Sequence, residues 1–120
     1  MSKMTLTKNE LEHLMTEVTN KLSSTIPDEL RKIFLYGSYA RGDFSDFSDV
    51  DIMVLLDSKQ PFGKEYRNIV DEVTRPLTDE SCIMVSCHFQ NYRHFYDAMD
   101  CTSFYKNIER EGIVFYDSES

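Results

Sequence analysis

Apolar positions in this chain follow two periods. Leu11, Leu14, Met15, Val18 and Leu22 recur at helical spacing behind Thr7-Lys8-Asn9-Glu10, which reads as a capping box. This predicts a first helix, closed by Ser23-Ser24 and Pro27. Arg31 to Tyr36 and Val50 to Leu56 are short apolar runs of strand type, joined by a polar loop over 37–48. Tyr66, Ile69, Val70, Val73 and Leu77 return to helical spacing and predict a second helix from Phe62 to Leu77, tolerant of Pro76 only near its end. Cys82 to Phe89 reads as a third strand, with Ile83, Val85, Cys87 and Phe89 on one face and Cys82, Met84, Ser86 and His88 on the other. Asn91 to Met99 and Thr102 to Glu111 read as short helices, the last with Gly112 as its C-cap. Ile113 to Tyr116 is a short final strand. These elements make an α+β protein.

The candidate chemistry lies where the first two strands meet their loop. The first strand stops at Gly37-Ser38, and the second begins inside Asp49-Val50-Asp51. Alternation along a strand turns Asp49 and Asp51 to one face, about 7 Å apart at roughly 3.3 Å per residue. Val50, Ile52, Val54 and Leu56 turn to the other face and enter a core. Two adjacent carboxylates repel, and a divalent cation relieves that. Mg²⁺ prefers one or two carboxylates completed by phosphate oxygens and water. Gly37 lets the backbone approach a phosphate closely, and successive N–H groups there form an anion nest with the Ser38 hydroxyl beside them. Tyr39 to Arg41 is expected to start a short helix facing the phosphates. Together these features point to a nucleoside triphosphate. Arg41 has two readings, a triphosphate contact or an ion pair with Asp43 or Asp46 that holds the loop. Phe44 and Phe47 have two readings, anchors that hold the loop to the domain or exposed rings that stack on a base. The bland alternative is a polar loop in which Asp49 is a turn residue and Ser38 a helix N-cap.

The string Gly37-Ser38-Tyr39-Ala40-Arg41-Gly42, followed by Ser48-Asp49-Val50-Asp51, resembles the signature of the nucleotidyltransferases with a DNA polymerase β-type palm. It is similar to their smallest branch, the minimal nucleotidyltransferases. The tail from Phe104 to Ile113, FYKNIEREGI, resembles the C-terminus of that branch. The resemblance implies a palm made of a small mixed sheet with helices packed mainly on one face, as a single domain over 1–120. It implies Asp49 and Asp51 as catalytic, Mg²⁺-binding residues in a two-metal site, and Gly37, Ser38 and Arg41 as nucleotide-binding residues. It also implies ATP as the NTP and a HEPN-type toxin as the protein partner in a toxin–antitoxin pair.

Composition narrows this picture. The formal net charge of −8 argues against a free-standing binder of duplex DNA or RNA, which needs a basic face. No apolar run approaches the ~20 residues that span a bilayer, and the N-terminus carries no apolar signal-peptide core. Three cysteines, Cys82, Cys87 and Cys101, lack metal-ligand spacing and read as buried, reduced thiols of a cytoplasmic protein. With only a palm, acceptor specificity falls to a partner, a dimer mate or the last helices.

One feature departs from the family pattern. A third carboxylate is expected on the neighbouring strand, where this chain offers Ser86 first and His88 second. Asp79 and Glu80 are the nearest acids before that strand. Two functions therefore stand. One is transfer of NMP, expected to be AMP, from NTP to a hydroxyl, for example a tyrosine of the partner toxin. The other is a catalytically weak or inactive antitoxin that neutralises its partner by forming a complex.

Overall fold

The computed structural model describes residues 5–46, 48–57, 68–69, 71–72, 74–76 and 83–119. Its first helix, α1 (Lys8–Thr25), opens on the capping box: Glu10 N donates to Thr7 Oγ1 at 3.2 Å, and Thr7 N donates to Glu10 Oε1 at 2.9 Å. The helix runs through Ser23-Ser24 to Thr25. Oγ of Ser24 and Oγ1 of Thr25 bond back to carbonyls one turn earlier, so these residues extend the helix instead of ending it.

Four strands follow: β1 (Leu30–Tyr36), β2 (Val50–Leu56), β3 (Val85–Asn91) and β4 (Ile113–Asp117). They form a mixed sheet in the order β3-β2-β1-β4. β1 runs antiparallel to both β2 and β4, while β2 and β3 are parallel. A short helix α2 (Ser38–Arg41) lies between β1 and β2. After β3 come α3 (Tyr92–Asp97), a single 3₁₀ turn (Met99–Cys101) and α4 (Ser103–Glu111). The described residues within 68–76 are helical and include Pro76, as expected of the second helix; Phe62, Tyr66 and Leu77 lie outside the described residues.

Alternation along β1 and β2 builds two apolar clusters. Ile33, Leu35, Val50, Ile52, Val54 and Leu56 face α1, meeting its Leu14, Met15, Val18 and Leu22. Phe34, Met53 and Leu55 face the opposite side, where Phe95 of α3 and Ile108 of α4 cover them. Helices therefore pack on both faces, not mainly on one. The reason is local. Phe34 and Leu55 are apolar on the second face, and each needs a cover to gain the roughly 1.5–3 kcal/mol that burying such a side chain contributes. Polar ties fix the cover in place. Lys32 Nζ donates to Tyr96 Oη at 2.7 Å, Tyr96 donates on to Glu109 Oε2 at 3.1 Å, and Gln90 Nε2 donates to Tyr105 Oη at 2.9 Å.

Gly112 is the C-cap of α4, as expected, with φ of −69°. Glycine is required there because an added Cβ would strike the Ile108 carbonyl oxygen. The cysteines do not share one environment. Cys87 packs against the larger cluster and burial pushes its thiol up to about 12, whereas Cys101 is exposed. Cys82 lies outside the described residues.

Candidate nucleotide site

The site forms where β1 ends. Its last residue, Tyr36, pairs with Asp51 across the antiparallel ladder. Gly37 then turns the chain with φ of 77° and ψ of −158°, a region open essentially to glycine alone. A β-carbon on Gly37 would overlap Oδ2 of Asp51, so the carboxylate lies directly against the turn. Within α2, N–H groups of Ala40 and Arg41 both bond to the Gly37 carbonyl at 3.1 Å. The N–H groups that precede them in a helix have no intrahelical acceptor. Gly37 thus stands at the bend against Asp51, and Ser38 follows it as the first residue of α2.

Asp51 is half-buried and Asp49 exposed. Burial pushes the Asp51 carboxyl above its ordinary value, and the nearby Asp49 charge pushes it further; His88 and Arg41 act in the opposite direction. An excess of negative charge on oxygen donors suits a hard cation. Among the described residues, no group of three or more His, Cys, Asp or Glu side chains gathers at any point.

The register of β3 decides what stands opposite. Ser86 is the parallel partner of Asp51, and His88 that of Met53. Ser86 occupies the place expected of a third acid. His88 is exposed, and its ring lies 6.5 Å from that of Tyr36. Asp79 and Glu80 lie outside the described residues.

Arg41 is exposed and paired. Its Nε meets Asp43 Oδ2 at 3.1 Å, and an Nη atom approaches Glu111 Oε2 at 3.8 Å. The loop-holding role anticipated for it is present with Asp43, and the Glu111 contact adds a tie to α4. Phe44 anchors its loop by stacking on Tyr39, with centroids 4.4 Å apart and planes at 10°. Phe47 lies outside the described residues. Sequence reasoning missed Phe104. It meets Tyr36 edge-on at 5.7 Å and remains 47% exposed beside Gly37. An aromatic at the start of the last helix was the available signal, but only the packing of α4 on β1 brings it to the site.

No helix among the described residues is long and apolar enough to cross a membrane. The family model described as polymerase beta, nucleotidyltransferase, matches residues 16–120. A protein of Methanocaldococcus jannaschii named "Putative protein adenylyltransferase MJ0604" is 30% identical over 105 residues, which cover 88% of this chain and 97% of that one. The fold is similar to the crystal structure of a "putative nucleotidyltransferase" from Sulfolobus solfataricus, with a TM-score of 0.60, 21% identity, and coverage of 90% of this chain and 81% of that one. A crystal structure titled as a toxin-antitoxin with AMP-PNP is similar at a TM-score of 0.56 and 20% identity, covering 88% and 74% of the two chains.

Proposed function

Because the chain belongs to the polymerase beta nucleotidyltransferase family, we propose that it transfers AMP from ATP to a hydroxyl group and releases pyrophosphate. The observation that carries this reading is the Asp51 carboxylate seated against the Gly37 turn. It puts a cation-seeking group and a backbone bend open to phosphate in contact. Gly37 and Ser38 cradle the β- and γ-phosphates, and Arg41 lies at the far end of the same short helix. Asp49 and Asp51 would hold Mg²⁺. When bound, the ion neutralises the triphosphate and orients it. The acceptor oxygen attacks the α-phosphorus, the bond to the β-phosphate oxygen breaks, and the hydroxyl proton passes to solvent or to His88. Transfer of this kind rests mainly on positioning and charge stabilisation.

The acceptor we propose is a tyrosine of a HEPN-type partner protein. The relative named as a protein adenylyltransferase and the structural neighbour from a toxin–antitoxin complex support this choice. The test is to incubate the chain with α-labelled ATP, Mg²⁺ and the product of the adjacent gene. Label on a partner tyrosine, lost with Asp49→Ala plus Asp51→Ala, is the expected result. Absence of label, or label indifferent to both substitutions, removes the proposal.

Ser86 opposite Asp51 favours a second reading, an antitoxin that acts by occlusion. A site short of one acid loses part of its second metal position and the help of a general base, typically worth about 10²–10⁴-fold. In that case neutralisation of the partner survives loss of both aspartates. If complex formation persists while neutralisation disappears, occlusion is insufficient.

A further inference from the structure

A cavity of about 210 Å³ opens beside the turn, between α2 and α4. It shares Gly37 with the acid site. Phe104, Asn107 and Glu111 line it from α4 at positions i, i+3 and i+7, the spacing of one helical stripe. Tyr36 and Arg41 close the other side. The Arg41–Glu111 ion pair at 3.8 Å joins the two walls.

Phe104 is the unusual member. Its neighbours in the helix, Tyr105 and Ile108, enter the core, while Phe104 leaves about half of its surface to solvent. Its ring contacts with Tyr36 and Tyr105 are inclined at 82° and 61°, and among the described residues none of them is a parallel stack. Asn107 accepts a hydrogen bond on Oδ1 from Arg110 at 3.0 Å, which orients its amide. A side-chain amide presents one donor group and one acceptor, the pair that matches the edge of adenine.

We infer that this cavity receives the nucleobase of the donor nucleotide, with Phe104 as its stacking platform and Asn107 as the amide that reads its edge. The inference rests on the triphosphate reading of the Gly37 turn and deepens it. A base is tied through its ribose to the α-phosphate, which adjoins the phosphates held at the turn, so it must settle within one nucleotide's reach of the turn. The cavity starts at Gly37 and meets that requirement. An acceptor, by contrast, arrives in line with and opposite to the leaving pyrophosphate, away from the bend that holds it. Exposed aromatic surface next to a phosphate cradle is also what base stacking uses, independent of hydrogen-bond readout.

The test is calorimetric, with Mg·ATP and magnesium tripolyphosphate as the two probes. Phe104→Ala is expected to weaken Mg·ATP by about five- to a hundredfold, the usual range for losing one base stack, and to leave tripolyphosphate within about twofold. Phe104→Tyr is expected to keep ATP binding, and Asn107→Ala to flatten any preference for ATP over GTP. Because Phe104 is half-exposed, its replacement leaves the core intact, and a thermal melt checks that. Unchanged ATP affinity in Phe104→Ala overturns the inference alone. If that variant binds ATP normally but loses AMP transfer, the cavity receives the acceptor instead. A wild-type chain that binds neither probe removes the triphosphate reading, and the base site with it.

Discussion

Gly37 and Asp51 occupy one another's space: the carboxylate of the second strand sits where a side chain on the glycine would be. The residues are fourteen positions apart in sequence and are joined only because β1 and β2 pair with Tyr36 opposite Asp51. The bend and the acid are therefore one structural unit.

Replacing Gly37 should reveal that unit. Gly37→Ala places an L side chain at a φ of 77° and drives its Cβ into Asp51. The backbone part alone costs on the order of 1–3 kcal/mol. Urea unfolding should show a lower midpoint with an unchanged slope. Adding Asp51→Ala should recover the steric share and leave the backbone share. A strictly additive double mutant would show that the two residues do not touch in solution.

Asp51 should also leave a signature in pH. Folding raises its carboxyl above the ordinary 3.8, through burial first and the Asp49 charge second. The folded state then binds this proton more tightly than the unfolded chain. Below 3.8 both states carry the proton and Asp51 adds no penalty; as pH rises through the raised value, stability falls. Asp51→Asn should accordingly melt higher than wild type at neutral pH, and the two curves should meet near about pH 3, where the carboxyl is protonated in either state. Mg²⁺ should stabilise the wild type at neutral pH and lose that effect in the variant. Equal melting temperatures at every pH would mean that Asp51 is fully solvated.

The second apolar face should matter as much as the first. Phe95 is fully buried, with ring centroids 6.0 Å from Phe34 and 4.8 Å from Tyr105. Phe95→Ala should cost about 3–5 kcal/mol. By loosening α3 and α4 it should also weaken nucleotide binding, since α4 carries one wall of the candidate base site. A loss of stability below about 1 kcal/mol would show that this cover contributes little.

Local rules made much of this legible beforehand. The capping box of α1 is an interaction between residues three apart, and it was readable as such. Strand β2 begins at Val50 because apolar alternation begins there, and the side-chain period of two assigned Ile83, Val85, Cys87 and Phe89 correctly to one face. The acid pair at the mouth of β2 and the glycine bend are similarly local features.

What the chain alone could not decide involves partners far apart in sequence. That Phe34 and Leu55 need a cover was implicit, but that α3 and α4 supply it follows from how those helices fold back over the sheet. Arg41 had two nearby carboxylates to choose from, and folding added Glu111, seventy positions later. Ser86 was the first candidate for the place opposite the acids, but its pairing with Asp51 is fixed by a parallel ladder register, which no single strand encodes. Phe104 reaches Tyr36 for the same kind of reason. Periodicity and capping act over a few residues and were written in the sequence, whereas the choice of neighbour is made by packing and exists only once the chain has closed on itself.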